Sequence, residues 1–343
     1  MTSFLLANLL AQMAAKLKTP VVILMHCPHQ PIFEGRKEDE IIAYTFDKYL
    51  KGAGNDWPLL LPMVKSAVRA MDTAQVILDK SFQHKVESFT VTGGSKRGWT
   101  TWLTSAVDPR VNALAPMVID VLQMDKQMAH QKKTWGELSE QIDDYKNLSL
   151  DKQLVKPEGK LLLEIVDPYR YRAKITQPKL IILGTNDPYW PVDALNLYWN
   201  DLSGEKYILY CPNQKHGIND YRRVFSSLNA LHQSVIGTKT LPKPTWKFVK
   251  HDKHLDLEVQ CDVKPSRVLA WTAKTATRDF RPSTWDSQVC EVQDGVFSAK
   301  IEHPANGCAA LYAELIFDEG TDGEYSLCTN LRVTPELPPA PAK

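Results

Sequence analysis

Between residues 20 and 237, short apolar runs of strand length alternate with helix-length stretches; beyond residue 237 the helices stop. That change of rhythm constrains the fold more than any single motif. Residues 21–25, VVILM, form a continuous apolar run, which predicts a buried parallel strand. VESFTVT, VNALAPMVID, PKLIILG and KYILYCP are the later strand candidates. Between them EDEIIAYTFDKYL starts with the acidic residues favoured at a helix N-terminus, and PMVKSAVRAMDTAQVILDK starts at a proline, which is tolerated there. TTWLTSA, residues 192–202 and the stretch after Asp220 also read as helix. Strands and helices in alternation imply a mostly parallel sheet covered by helices on both faces, an α/β fold.

After Gly237 the stretch TLPKPTW reads as a linker, and about seven strand-like runs follow, from WKFVK to SLCTNLRVT, with no helix between them. This predicts an all-β sandwich of immunoglobulin-like size. The expected organisation is an α/β domain over 1–237, a β-sandwich over 238–335 and a disordered tail over 336–343. The opening MTSFLLANLLAQMAAKLKTP repeats its leucines at helical spacing and has no basic n-region, so an amphipathic helix is expected and no signal peptide is visible. No run is long enough to span a bilayer.

The 41 basic and 40 acidic residues nearly cancel, which leaves no overall field to draw the chain to nucleic acid or an anionic membrane. A small-molecule or peptide substrate fits better. The six cysteines, Cys27, Cys211, Cys261, Cys290, Cys308 and Cys328, contain no C-x-x-C pair; disulfides and buried free thiols are both compatible with their spacing.

The residues around Ser95, VTGGSKRGWTTW, have the order strand, glycine turn, helix that a nucleophile elbow requires. The glycine usual two places after the serine is replaced by Arg97 and comes one place later, at Gly98, so a plain helix cap stays open as a reading of Ser95. The partners come in the chain order of α/β-hydrolases. Asp187 follows the strand PKLIILG, 187 − 95 = 92 residues on, and His216 follows KYILY, 216 − 187 = 29 residues further. Both belong at the carboxyl ends of parallel strands, where such sites lie. Asp120, after VNALAPMVI, is the alternative acid. The backbone N–H of Lys96 is the first oxyanion donor, and Lys96 or Arg97 is a candidate to hold an oxyanion or a substrate carboxylate. Asp193 reads as a helix start, and His26 and His29 as packed loop residues with no carboxylate spaced to make a metal site. No metal and no organic cofactor is required.

EDEIIAYTF, LPMVKSAVRAMD, GGSKRGWTTWLTSAVDPRV, PMVIDVLQM, DPYRYR, QPKLIILGTNDPYW, CPNQKHG and RDFRPSTW together give nearly the whole chain a resemblance to the PhoPQ-activated pathogenicity-related family, which also includes secreted autocrine proliferation repressors of amoebae. The resemblance implies an α/β-hydrolase domain with Ser95, Asp187 and His216 in the triad positions and an appended β-sandwich. It also implies a secreted or periplasmic full-length protein. GGS stands where GAS is common, and NDPYW replaces a segment that more often carries a Gly-Asp pair. In this fold a strand precedes the first helix and the loop between them supplies the second oxyanion N–H. The chain opens on a helix, so a truncated front and a missing second donor are expected. Two functions follow: a serine hydrolase acting on an ester or amide, or a non-catalytic signalling or binding protein on the same scaffold. In either case the β-sandwich is an expected surface for a protein partner.

Overall fold

The computed structural model describes residues 11–337. Strands β1 (Phe89–Gly94), β2 (Val111–Met117), β3 (Lys179–Gly184) and β4 (Lys206–Cys211) lie side by side in chain order, all parallel. The remaining strands are β5 (Pro244–Lys250), β6 (His254–Cys261), β7 (Arg267–Thr275), β8 (Asp286–Val289), β9 (Glu291–Gln293), β10 (Val296–Glu302), β11 (Cys308–Phe317), β12 (Tyr325–Cys328) and β13 (Arg332–Thr334). They make two antiparallel layers. One, in the order β5-β6-β10-β9, stands alone; the other, β12-β11-β7-β8, joins the parallel strands where Cys328 of β12 pairs with Ile208 of β4. With β13, which pairs with β11, the α/β layer and this half of the sandwich are one nine-stranded sheet.

The period of two along each strand sorts the core into two layers. Leu114, Ile181, Leu183, Ile208 and Tyr210 face one side, where the helices Glu38–Leu50, Leu60–Phe82 and Lys96–Val107 pack through Ile42, Phe46, Met63, Trp99 and Trp102. Ala113, Ala115, Leu180, Ile182 and Leu209 face the other, against the helix Tyr221–Val235 and, further along, Leu257, Val259 and Ile301 of the lone sheet. Because both faces are covered, β3 is buried at every residue, which suits its apolar run at residues 180–183; the buried Lys179 at its start donates through Nζ to the Ser203 carbonyl. The fold is of the α/β-hydrolase type with an appended antiparallel sandwich.

Several sequence expectations change. VVILM forms no strand: the run pairs with none of the described strands and Val22 and Met25 are 59% and 53% exposed. An apolar run favours burial, but only hydrogen-bonding neighbours make it a strand. Residues 192–202 form two 3₁₀ turns, Ala194–Leu197 and Trp199–Asp201, in place of a helix. SQVCEVQ splits at Cys290 into β8 and β9, which belong to different sheets. Residues 11–17 are helical as expected; residues 1–10 of that stretch and 338–343 of the tail lie outside the described residues. The six cysteines are free thiols, and burial pushes those of Cys211, Cys290 and Cys328 up to about 12.

One region had no assignment from sequence. Residues 121–177, between β2 and β3, fold into a helical cap that includes the helices Met124–Trp135 and Pro157–Val166. Asp167 stitches its two ends together. Its buried carboxylate accepts from the N–H groups of Gln123 (3.2 Å), Met124 (3.0 Å) and Tyr169 (2.9 Å), and burial raises it to about 6.

Candidate active site

Ser95 stands between β1 and the helix Lys96–Val107 with φ 54° and ψ −128°, a positive-φ conformation that a residue with a side chain rarely adopts. Its side chain makes no capping bond to the helix, so the plain-cap reading fails. The late glycine also finds its reason. A Cβ on Gly93 would lie 2.7 Å from the Arg97 carbonyl oxygen, and one on Gly98 would lie 2.8 Å from both the Gly93 oxygen and Ile119 Cγ2. Helix and strand approach this closely only with hydrogen at 93 and 98, whereas position 97 points outward and tolerates arginine. The Ser95 N–H is spent on the Met117 oxygen (2.9 Å), leaving that of Lys96 as a first-turn donor with no acceptor within its helix.

Asp187 follows β3 in a tight turn and is buried; its Oδ1 accepts from the Tyr189 N–H (2.9 Å) and its Oδ2 lies 2.9 Å from His216 Nδ1. The His216 ring is also covered by Tyr189, 4.1 Å between centroids. Its other nitrogen, Nε2, is buried and has no hydrogen-bond partner among the described residues. Ser95 and His216 line the same cavity, about 730 Å³ including its open mouth. The walls are mostly apolar: Phe46, Trp99 and Trp190 from the main fold, and Met128, Ile142 and Leu154 from the cap. Sequence reasoning missed the cap's part in this cavity, although the apolar residues between 124 and 154 were the available signal.

Asp120 is not the partner of His216. It is wholly buried and accepts a 2.5 Å bond from the Tyr198 hydroxyl, and burial, reinforced by the charges of Asp187 and Asp193, raises it to about 7. Nor are Lys96 and Arg97 free to bind an anion with their side chains. Lys96 Nζ reaches Glu38 Oε2 (2.6 Å) and Asp39 Oδ1 (3.1 Å), while Arg97 holds the same Glu38 oxygen (3.0 Å) and the Cys27 carbonyl (3.0 Å). The pair fastens the helix Glu38–Leu50 and the loop before it to the elbow, and the Glu38 and Asp39 carboxylates offset the local cost of two cations at a helix N-terminus. Glu38 is held at about 2 despite its partial burial, by Lys96, Gln30 and Arg97.

A second unforeseen feature is a clamp from the sandwich. The loop between β7 and β8 carries RDFRPSTW, residues 278–285. Asn186, next to Asp187, donates through its side-chain amide to the carbonyls of Phe280 (3.3 Å), Arg281 (3.2 Å) and Ser283 (2.6 Å). Asn213, three residues before His216, donates to the Trp285 carbonyl (3.0 Å) and accepts from its N–H (2.8 Å). Behind them Arg278 pairs with Asp193 (2.8 Å), whose other oxygen lies 2.6 Å from His130 Nε2. Burial by itself would raise Asp193, yet His130 and Arg278 hold it at about 2. Asp193 does stand at the start of a helical turn, the 3₁₀ helix Ala194–Leu197, but its carboxylate makes no capping bond there and ties the cap to the sandwich. The acid loop, the histidine loop and the β7–β8 loop thus form one hydrogen-bonded unit.

His26 and His29 lie with ring centroids 5.9 Å apart and join no metal-ligating group among the described residues. The grouping that does arise, His251, His254 and Asp256, is on the sandwich; its sequence signal was H-x-x-H-x-D.

The chain is 32% identical over 337 residues to autocrine proliferation repressor protein A of Dictyostelium discoideum, an alignment covering 89% of this chain and 68% of that protein. Among solved structures it has partial likenesses to acetyl xylan esterase 1 from Thermoanaerobacterium sp. JW/SL YS485 (16% identity, TM-score 0.39, 53% of this chain and 57% of that one). A Mycobacterium tuberculosis puromycin-hydrolyzing peptidase is another (21% identity, TM-score 0.37, 51% of this chain and 26% of that one). The family described as PhoPQ-activated pathogenicity-related protein matches residues 3–281. With that match running from residue 3 into the β7–β8 loop, the chain belongs to the PhoPQ-activated pathogenicity-related family.

Proposed function

We propose that this chain is a serine hydrolase that cleaves an ester or amide bond through an acyl-enzyme. The observation that carries the reading is the pairing of Asp187 with His216 Nδ1, which leaves the buried Nε2 unpartnered beside the cavity that Ser95 lines. His216 Nε2 takes the proton of Ser95 as Oγ attacks the substrate carbonyl carbon. Asp187 keeps the Nδ1–H tautomer in place and stabilises the imidazolium. The carbonyl π electrons move onto oxygen, which faces the Lys96 N–H. The tetrahedral centre collapses, the leaving alcohol or amine takes the proton from His216, and an attacking water repeats the sequence to free the acid. The apolar walls favour a substrate whose acyl part or adjoining side chain is hydrophobic.

A fluorophosphonate probe tests this. The native chain is expected to be labelled and Ser95→Ala is not; a folded native chain that stays unlabelled refutes the enzyme reading. A second reading is favoured by the description of the Dictyostelium relative as an autocrine proliferation repressor: a signalling or binding protein on the same scaffold, meeting its partner through the sandwich. That reading predicts a folded, unlabelled chain.

A further inference from the structure

The β5–β6 hairpin turns at residues 251–253, where the His251 N–H donates to the His254 carbonyl (2.9 Å). His254 and Asp256 are two apart on β6, so their side chains leave the same face, and His251 comes over from the opposite arm. His251 Nε2 lies 3.1 Å from one Asp256 oxygen and His254 Nε2 lies 3.5 Å from the other. The two rings stack at 4.4 Å with 21° between their planes, and the three ligand atoms are all within 4.8 Å of one another.

We propose that His251, His254 and Asp256 form a binding site for a divalent transition-metal ion, with zinc the best match. Tetrahedral zinc with bonds of about 2.0 to 2.1 Å to nitrogen and oxygen separates neighbouring ligand atoms by about 3.3 Å. The two nitrogen–oxygen separations run to different oxygens of Asp256, and one ligand atom from each residue lies within 4.8 Å of the others, so side-chain rotations that bring both nitrogens around one oxygen seat the ion without movement of strands. Two imidazole nitrogens and one carboxylate oxygen are a borderline donor set that suits zinc and its neighbours, whereas calcium and magnesium require more oxygens. The side chains are 44%, 28% and 31% exposed, which leaves an entry path and room for water as the fourth ligand.

The turn is also held from outside the hairpin. His303 donates its backbone N–H to the Lys253 carbonyl (2.8 Å), and its Nε2 lies 2.9 Å from the His251 carbonyl oxygen. His303 in turn contacts Thr334. Backbone restraint on both sides of His251 reduces the ordering cost that a flexible loop would meet on binding. This site is independent of the hydrolase reading.

The test uses the full chain, stripped with chelator and titrated with zinc chloride by calorimetry, then with cobalt(II) followed by absorption. One ion per chain is expected, with a cobalt spectrum of four-coordinate nitrogen and oxygen ligation. His251→Ala and His254→Ala, each checked for native circular dichroism, are expected to weaken binding at least about tenfold. Zinc should raise the melting temperature of the native chain and not of either variant. Absence of saturable binding, affinity unchanged in both variants, or a thiolate-to-cobalt charge-transfer band marking cysteine ligation overturns the proposal.

Discussion

Replacing Asn186 by alanine tests whether the sandwich holds the candidate active site in register. The two N–H groups of the Asn186 side chain serve three carbonyls, at 2.6, 3.2 and 3.3 Å, and its Oδ1 accepts from the Thr185 hydroxyl (2.7 Å), so about three full hydrogen bonds are at stake. At about 1 kcal/mol net for each, with a further 1 to 3 kcal/mol where a carbonyl is left buried without a donor, the loss is about 3 to 6 kcal/mol. A melting temperature lower by about 5 °C is the expected reading. The effect on chemistry should be larger in proportion. Asp187 is the next residue, and a displacement of about 1 Å in such a group can cost about a hundredfold in rate. The assay is the second-order rate of fluorophosphonate labelling, measured against pH below the melting transition. If the clamp orients Asp187 against His216, the variant loses rate and the midpoint of its pH profile moves. A purely structural clamp lowers the melting temperature alone. An unchanged melting temperature and rate would refute the clamp altogether.

Two further substitutions address the elbow and the alternative acid. Gly98→Ala places a Cβ 2.8 Å from the Gly93 oxygen and from Ile119 Cγ2 and should push the helix off β1; at least about 2 kcal/mol of stability and most of the labelling should go, as denaturant melts and the probe will show. Asp120 is raised to about 7 in the fold against about 3.9 in an unfolded chain, so its stabilising effect is fully present below about pH 4 and is lost as pH rises through 7. The difference is on the order of 4 kcal/mol, and Asp120→Asn should flatten the stability profile between pH 4 and 7 while labelling of Ser95 continues. Loss of labelling in Asp120→Asn without loss of fold would restore Asp120 as the acid.

Local signals carried much of this protein. The apolar runs of β2, β3 and β4 and the glycines at 93 and 98 were legible because each depends on spacing within one strand, turn or helix start, and Ser95, Asp187 and His216 stood out as candidates because each follows closely on such a strand. Where sequence left alternatives, the missing quantity was a distance between segments far apart in the chain. The tertiary structure decided that His216 meets Asp187 and not Asp120, because two carboxylates at neighbouring strand ends differ only in where their loops lead. It placed Lys96 and Arg97 on Glu38 and Asp39, cations and carboxylates some sixty positions apart. It left VVILM without a strand partner. It also brought RDFRPSTW, some ninety residues beyond Asn186, onto both loops of the candidate site. Periodicity announces which residues a strand or helix buries; which buried or charged group it meets is settled only when the layers pack.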